Sequence, residues 1–393
     1  MSSLTPRQRL LAALAHEEPD RVPLDLGGTY ASGIIAGAYG PLKSYLHLAE
    51  DSGSRVIEGR SAVVQVEEPI LQRFQIDTRK VTVNIPDNWV TLHPDGTQTD
   101  GWGNVWGRPE GGHFYVIHSP FAAEPSRQAL ARHPWPDPDD PRITDGLAEE
   151  VARLRATDYA VVLNLPSRLI HQMQFLRGYA ESLMDLLVNR SFIEDLMDRI
   201  TDINVRIAEN VLRLVGEQID VLCIGDDLGT QNGPLINPET YRRLIKPRQR
   251  RLVETLRRYT SAKLFYHSCG SVVAFIPDLI DLGIQALNPV QVSAVGMDPA
   301  VLKREFGRDM AFWGGVDTQR VLPFGTAAEV AAEVQRRFVE LGPGGGWVCA
   351  AVHNIQPGVP PENICALFDT AAEVGWYGPV NRREGGPPIA HRL

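Results

Sequence analysis

The sequence predicts an α/β protein of the (β/α)8 TIM-barrel class. Short apolar runs alternate with helix-length amphipathic segments, which indicates parallel strands joined by right-handed crossovers. Eight such strands can be counted, a number that favours a closed barrel over an open sheet. Neither G-x-G-x-x-G after the first strand nor G-x-x-x-x-G-K-[ST] occurs, so nothing supports a nucleotide-binding fold.

The first part of the chain is predicted to supply two of the eight strands. Residues 5–17 read as an amphipathic helix, with Thr5 as its cap and Pro6 in its first turn. A first strand begins at Val22 and ends at two glycines. A helix over 63–74 then precedes a second strand over 80–85.

Residues 86–141 differ in composition from the rest and are predicted to be an insertion. They are rich in Trp, Gly and Pro, and the P-D-G turn indicates a β-hairpin. Trp89, Trp102 and Trp106 either line a pocket for a planar or apolar ligand or pack the insertion against the barrel. Residues 1–393 are taken as one barrel domain, with a Gly/Pro-rich tail at 378–393.

From residue 145 onward, helices and strands alternate regularly. The six further strands are expected at 159–165, 219–224, 263–266, 285–287, 310–312 and 347–352. The helices are expected at 145–156, 171–189, 192–216, 237–259, 271–282, 298–306, 326–341 and 361–374.

Composition excludes several classes of protein. With 43% hydrophobic and 22% charged residues, the chain is of ordinary globular type, and a formal net charge of −9 argues against nucleic acid or an anionic membrane as partner. There is no apolar run long enough to span a membrane, no signal-peptide pattern and no C-x-x-C among the four cysteines. We therefore expect a cytoplasmic protein with reduced thiols. The sequence leaves open whether it forms a homodimer.

Polar residues recur where the predicted strands end. In a (β/α)8 barrel these ends meet at one rim, which is where active sites lie. The residues concerned are Asp25, Asp226, Asp227, His267, Cys269, Asn288, Gln291, Asp317, His353 and Asn354. Helix capping explains part of this pattern, but His267, Cys269 and His353 are poor caps.

His267 and Cys269, together with His353, form a plausible zinc set. Residues two apart on an extended chain point the same way, so His267 and Cys269 can both face the barrel axis. Zn²⁺ favours nitrogen and sulfur donors, and catalytic sites use three protein ligands with one open position. Cys349 shares the parity of His353 but lies about 13 Å down the strand at roughly 3.3 Å per residue, so His353 is preferred. The alternative is a buried cysteine beside a hydrogen-bonded histidine, without a metal.

Several segments resemble the uroporphyrinogen decarboxylase family, and within it the branch of corrinoid-linked methyltransferases. The matching segments are E-P-D-R-V-P, T-D-G-W-G-N-V-W, H-P-W-P-D-P-D-D, D-D-L-G-T-Q-N-G-P-L-I-N-P-E-T-Y, H-S-C-G, A-L-N-P-V-Q, F-W-G-G-V-D-T-Q and V-H-N-I-Q-P-G-V-P-P-E-N-I. They span nearly the whole chain. The resemblance implies a (β/α)8 barrel with its pocket at the carboxyl ends of the strands.

The two branches of the family imply different chemistry. In the methyltransferases, zinc held by a His-x-Cys pair and a later cysteine activates a thiol that accepts methyl from a methylated corrinoid. His267 and Cys269 match the pair, whereas the later cysteine falls on His353. A site with two histidines is less electron-rich, which favours a Lewis-acid role toward an oxygen substrate.

In the decarboxylases, a histidine at the position of His353 contacts the tetrapyrrole, and an arginine-rich segment binds its carboxylates. The segment after Asp20 does not match that arginine motif, and the predicted strand ends are acidic. The resemblance therefore favours methyl transfer over decarboxylation.

The resemblance, together with the candidate zinc set, implies a zinc-dependent methyltransferase or demethylase acting on a small methylated compound. The Trp-rich insertion favours an aromatic substrate. Asp226, Asp227 and Asp317 are the predicted catalytic carboxylates, and Asp25, Asn288, Gln291 and Asn354 the predicted substrate-binding residues. No D-x-H-x-x-G motif is present, so the corrinoid is expected on a partner protein. A metal-free decarboxylase or lyase, and a non-catalytic subunit that docks a corrinoid domain, remain alternatives.

Overall fold

A computed structural model describes residues 4–48, 55–58, 62–109 and 112–377. The predicted tail at 378–393 and two residues of the predicted insertion lie outside these ranges. No helix in the described part of the chain is long and apolar enough to cross a membrane.

The strands and helices are numbered in chain order. The strands are β1 (Val56–Glu58), β2 (Val63–Val64), β3 (Thr78–Thr82), β4 (Val90–Leu92), β5 (Gln98–Asp100), β6 (Val105–Gly107), β7 (Tyr115–His118), β8 (Ala160–Asn164), β9 (Val221–Gly225), β10 (Lys263–His267), β11 (Ala286–Asn288), β12 (Ala311–Trp313) and β13 (Trp347–Val348). The helices are α1 (Pro6–Leu14), α2 (Ala36–Tyr45), α3 (Glu68–Arg73), α4 (Arg127–Arg132), α5 (Leu147–Arg155), α6 (Ile170–Arg177), α7 (Tyr179–Val188), α8 (Arg190–Val215), α9 (Pro238–Thr240), α10 (Lys246–Tyr259), α11 (Ile276–Asp281), α12 (Pro299–Phe306), α13 (Val321–Phe324), α14 (Ala327–Leu341) and α15 (Pro361–Val374).

Seven parallel strands form the central sheet, in the order β13-β12-β11-β10-β9-β8-β3. The segment beginning at Val22 closes it. Leu24 pairs in parallel with Cys349 beyond β13, and on its other side its carbonyl accepts from the Asp77 amide next to β3. This segment therefore takes the position of the eighth strand of the barrel, although it has too few paired residues to count as a regular strand. The predicted (β/α)8 class is confirmed.

Alternation along the strands divides the apolar core into two layers. One layer fills the barrel interior and includes Val162, Cys223, Phe265 and Trp313. The other lies between the strands and the surrounding helices. Helix α1 closes the amino-terminal end of the barrel with Leu10 and Leu14, which belong to the interior layer. The opposite end, where the carboxyl ends of the strands meet, is thereby left as the mouth.

A buried ionic cluster supports the closed end. The Asp77 carboxylate accepts from Arg9 Nη1 at 2.6 Å and from Arg21 Nη1 at 2.9 Å, and its Oδ2 also accepts from the Leu24 amide. A buried charge is tolerated only when it is paired and hydrogen-bonded. Asp77 meets both conditions, and so ties α1 and the closing segment to β3.

The region predicted as a β-hairpin contains a larger structure. Strands β4, β5, β6 and β7 form an antiparallel sheet in that order. Trp106 is buried and packs edge-on against Phe175 of α6, with ring centroids 4.9 Å apart. Trp102 packs in the same manner on Trp135. Trp106 thus contacts a helix of the barrel, whereas the contact of Trp102 lies within the predicted insertion.

Several element predictions were wrong in detail. Residues 63–66 are not helical: β2 occupies their start, and α3 begins only at Glu68, where Pro69 suits the first turn. The helix predicted over 171–189 is interrupted at Gly178, which has a φ of 108°. The helix predicted over 237–259 contains a π-turn at Tyr241–Ile245, just before Pro247, whose ring cannot continue a regular ladder. The last strand is shorter than predicted and ends at Val348.

Candidate metal centre

Three side chains that are far apart in the sequence meet at the mouth of the barrel. His267 ends β10, Cys269 follows it by two residues, and His353 lies in the loop after β13. One ligand atom from each lies within 4.8 Å of the other two. The His267 Nε2 and the Cys269 Sγ are 3.4 Å apart. A nitrogen and a sulfur ligand on one tetrahedral zinc ion are expected to lie about 3.5 Å apart, from bond lengths of roughly 2.0 and 2.3 Å.

Asn288 fixes the orientation of the His267 ring. It ends β11 directly beside His267, and its Oδ1 accepts from the His267 Nδ1 at 2.7 Å. The Asn288 Nδ2 donates to the Trp313 carbonyl, which can only accept. Exchanging the oxygen and nitrogen of the Asn288 amide would therefore lose this hydrogen bond. The proton of His267 is therefore held on Nδ1, and the lone pair of Nε2 faces Cys269. Such a partner is typical of metal-binding histidines.

The loop that carries Cys269 is held from two sides. The Asp227 Oδ1 accepts from the Cys269 amide at 2.8 Å, and the Gln291 Oε1 accepts from the Gly270 amide at 2.7 Å. Gly270 has a φ of 88°, which only glycine adopts without strain. Gln291 was predicted to bind substrate, but its contacts position the thiol loop.

Asn354 and Tyr30 form the wall behind the two histidines. Asn354 accepts from the Gly33 amide and donates to the Tyr30 carbonyl, so it anchors the loop after the first strand segment. The Tyr30 ring lies edge-on to His267, with centroids 5.3 Å apart, and the His267 and His353 rings are 5.6 Å apart. Asn354, like Gln291, thus makes positioning contacts rather than presenting a free amide to the mouth.

The electrostatics of the cluster suit a cation. Burial lowers the pKa of His267 to about 4 and also lowers the pKa of His353, so both imidazoles are neutral ligands near neutral pH. Burial raises the pKa of the Cys269 thiol, and the charge of Asp227 acts in the same direction. A bound cation reverses this effect, because a coordinating thiol loses its proton outright. The donor set of two imidazoles and one thiol therefore fits zinc.

His171 is a site residue that sequence reasoning missed. It lies in the first turn of α6, and its imidazole is held between two carboxylates: Nδ1 is 3.0 Å from Asp226 Oδ1, and Nε2 is 3.4 Å from Asp227 Oδ2. Burial alone would lower the pKa of His171, but the two carboxylates raise it to about 9. Nothing in the local sequence marks this residue, since H-Q-M-Q reads as an ordinary helical turn.

Asp226 and Asp227 are adjacent in the chain but have different surroundings. Asp226 is buried, and its carboxylate accepts from the backbone amides of Leu169, Ile170 and His171 at the start of α6. Asp227 is a third exposed at the mouth. Burial would raise the pKa of Asp227, but the hydrogen bond from His171 and the nearby His267 hold it well below its usual range.

Asp25 and Asp317 lie in other hydrogen-bond networks. The buried Asp25 carboxylate accepts from the Gly28 amide, the Thr78 hydroxyl and the Trp313 indole, and so joins three parts of the barrel wall. Asp317 accepts from the amides of Gln319 and Arg320 and forms a turn after β12. Neither contact set points to the catalytic or substrate-binding role predicted for these residues.

The parity argument for Cys349 was wrong. Val348 and Ala350 face the barrel interior, whereas Cys349 lies in the layer between strands and helices. His353 reaches the mouth because the chain leaves strand geometry after β13. His353 rather than Cys349 is therefore the third ligand because Cys349 faces the helices, and not because Cys349 lies deeper in the barrel.

The hydrogen bond that Asn288 accepts from His267 provides a direct test of the metal centre. Replacing Asn288 by Ala removes the acceptor that fixes the His267 ring, and we expect zinc affinity to fall 10- to 100-fold, as is typical for such partners. Competition with a chelating dye measures the affinity.

Asn363→Ala is the matched control for Asn288→Ala. Asn363 is also a buried asparagine that donates to backbone carbonyls, in this case those of Leu322 and Gly325. The control should lose stability but keep its zinc affinity. An Asn288→Ala protein that binds zinc like the wild type would contradict the role assigned to Asn288.

Comparison with known proteins gives one family match. The profile of the family described as "Uroporphyrinogen decarboxylase (URO-D)" matches residues 164–374, just over half of the chain. The matched range includes every residue of the His267, Cys269 and His353 cluster, together with His171 and the two carboxylates that hold it.

Two curated relatives and one solved structure are similar to the chain. A methylcobamide:CoM methyltransferase, MtaA of Methanosarcina barkeri, is 28% identical over 190 residues, 47% of this chain and 52% of the relative. A uroporphyrinogen decarboxylase of Thioalkalivibrio sulfidiphilus is 27% identical over 148 residues, 36% of this chain and 40% of the relative. The alignments thus span about half or less of either relative. A methyltransferase structure from Methanosarcina mazei superposes with a TM-score of 0.63 at 18% identity, covering 94% of this chain and 99% of that one, which shows a shared fold.

Proposed function

Because the chain belongs to the uroporphyrinogen decarboxylase family, we propose that it is a zinc-dependent methyltransferase or demethylase. His267, Cys269 and His353 hold the zinc ion in this proposal. The observation that carries it is the convergence of their nitrogen and sulfur atoms within 4.8 Å at the barrel mouth. The curated relative named as a methylcobamide:CoM methyltransferase supports the same class of reaction.

The proposed reaction moves a methyl group between a small methylated substrate and a corrinoid or thiol acceptor. The corrinoid is brought by a partner protein. Phe175 of α6 contacts both Trp106 and the His171 ring, so aromatic contacts connect the antiparallel sheet with the site. The position of Phe175 beside His171 favours an aromatic substrate.

Zinc at this position supplies Lewis acidity, which stabilises a bound thiolate or a departing oxyanion. Side chains of the protein supply the proton that this reaction needs. The acceptor's cobalt or sulfur supplies the electron pair of the new bond to the methyl carbon. The electron pair of the broken bond stays on the heteroatom, which then needs a proton. His171 holds one between Asp226 and Asp227 and can deliver it, because its pKa of about 9 keeps it protonated at neutral pH. Asp227, which contacts the His171 ring, takes part in this proton transfer, whereas Asp226 positions His171.

The test of the proposed function combines metal analysis with methyl transfer. We expect the purified full chain to contain about one zinc ion, as a three-ligand catalytic site does. Methyl transfer between methylcobalamin and a thiol, or from a methoxylated aromatic compound to reduced cobalamin, is followed by the cobalamin spectrum. A chelator should abolish the activity and added zinc should restore it.

The two alternatives give different outcomes in the same test. A decarboxylase or lyase without metal would lack stoichiometric zinc and keep its activity in chelator. A docking subunit would bind a corrinoid protein without turning over any methyl donor. Either outcome would contradict the proposed function.

A further inference from the structure

The two imidazoles of the metal centre are held in place in different ways. The His267 ring is oriented by its hydrogen bond to Asn288, which is the usual arrangement for a metal-binding histidine. The His353 ring contacts the His267 ring edge-on, but it has no hydrogen-bond partner among the residues that the structure describes. The position of His353 must therefore come from the backbone on either side of it.

The residues before and after His353 are attached to different neighbours. Asn354 ties the residue after it to the loop that follows the first strand segment. On the other side, the Val352 amide donates to the Val316 carbonyl at 2.9 Å, and the Val316 amide donates to the Ala350 carbonyl at 3.3 Å. Val316 lies in the loop after β12. The position of the residue before His353 therefore depends on where Val316 lies.

A buried ion pair on α14 holds the backbone on both sides of Val316. The Arg337 Nε donates to the carbonyl of Gly315, the residue before Val316, at 2.9 Å. The Glu333 Oε1 accepts from the amide of Asp317, the residue after Val316, at 3.2 Å. The Arg337 Nη2 also donates to the Glu333 Oε1 at 3.1 Å, so the two side chains support each other. One ion pair thus fixes the two peptide groups that flank Val316.

Helix packing alone does not account for a carboxylate at position 333. Glu333 is only 2% exposed, and its Oε2 is buried without a hydrogen-bond partner among the described residues. Burial raises the pKa of Glu333, although Arg337 acts in the opposite direction. An unsatisfied buried oxygen costs stability, and apolar side chains of similar size often replace a buried ion pair without loss. A polar group kept at such a cost calls for a further role.

We propose that Glu333 and Arg337 are positioning residues of the metal centre, which place His353 among the ligands by fixing Val316. Neither side chain belongs to the ligand set. Their effect passes from α14 through the backbone of the loop after β12 to Val352, the residue before His353. This inference deepens the proposed function and rests on its metal centre.

Two variants of Glu333 in the full chain test this inference. Glu333→Ala removes the acceptor of the Asp317 amide, whereas Glu333→Gln keeps an oxygen at that place. In the metal-free protein, hydrogen exchange of the peptide containing Val352 should be about 10-fold faster in Glu333→Ala, because a lost hydrogen bond eases local opening. With metal, zinc affinity should fall about 10- to 100-fold, as for other outer partners of a ligand. The visible spectrum of bound Co²⁺, which depends on ligand number and geometry, should also change.

Glu333→Gln should restore the exchange rate and the Co²⁺ spectrum of the wild type, even if its stability is lower. Arg337→Lys approaches the same loop from its other side. It keeps the positive charge but loses the Nε donor to the Gly315 carbonyl, and it should also speed exchange of the Val352 peptide. This variant decides the question if Glu333→Ala does not fold.

Asp185→Ala is the matched control, because Asp185 is also a buried carboxylate paired with a buried arginine, Arg177, at 2.6 Å. It should lose stability but keep the wild-type exchange of the Val352 peptide and the wild-type Co²⁺ spectrum. The inference is overturned if the Glu333 and Arg337 variants leave both readouts unchanged, if Glu333→Gln behaves like Glu333→Ala, or if the control changes them equally. A wild type that binds neither zinc nor Co²⁺ would contradict the proposed function, whereas the exchange rates of the metal-free chain judge the positioning separately.

Discussion

Replacement of Cys269 by alanine is expected to abolish the metal centre while leaving the barrel folded. The thiol supplies the only sulfur among the three ligand atoms, and its loss leaves two imidazoles, which hold zinc far less tightly. We expect zinc affinity and methyl transfer to fall by more than about 100-fold, beyond the 10- to 100-fold range of an outer hydrogen-bond partner. Elemental analysis and chelator competition measure the first effect, and the cobalamin spectrum measures the second.

Cys365→Ala is the control for Cys269→Ala. Cys365 is a buried thiol on α15 that packs in the layer outside the strands. Its replacement should cost some stability but leave zinc content at the wild-type level. The metal proposal would be wrong if Cys269→Ala bound zinc as tightly as Cys365→Ala.

Replacement of Asp226 by alanine is expected to cause the largest loss of stability among the site residues. Its carboxylate accepts from Leu169, Ile170 and His171 amides, at 2.5, 2.8 and 3.0 Å, and also contacts the His171 ring. Alanine leaves these donors buried without an acceptor. Removing one member of a buried charge pair costs about 3–5 kcal/mol, and we expect the free energy of unfolding to fall by that amount. Urea denaturation measures it.

Asp298→Ala separates this effect from ordinary helix capping. Asp298 caps α12 through a single bond to the Val301 amide, and its loss should cost about 1 kcal/mol. In Asp226→Ala, the pKa of His171 should also fall from about 9, because one of the two carboxylates that raise it is gone. Equal losses of stability in the two variants, with an unchanged His171 titration by NMR, would show that Asp226 is not the anchor of α6.

The distinction between Asp226 and Asp227 illustrates the limit of sequence reasoning at this site. Both follow a buried strand, and both were predicted to be catalytic. Only the fold brings the amino-terminal end of α6 onto Asp226 and leaves Asp227 at the open mouth. The same holds for Asn288 and Gln291, whose amides turned out to orient His267 and the Cys269 loop. The role of each of these side chains depends on which neighbouring segment contacts it in the folded barrel.

The sequence by itself determined the barrel class and the residue types that converge at its mouth. The periodicity of hydrophobic residues specifies strands and helices. Eight alternating strand–helix units are compatible with only a few chain topologies. The His-x-Cys spacing was visible because residues two apart on a strand share a face. The tertiary structure alone decided that His171 lies between two carboxylates and that Cys349 faces the helices. Those properties are relations between residues distant in the chain, and no local pattern encodes them.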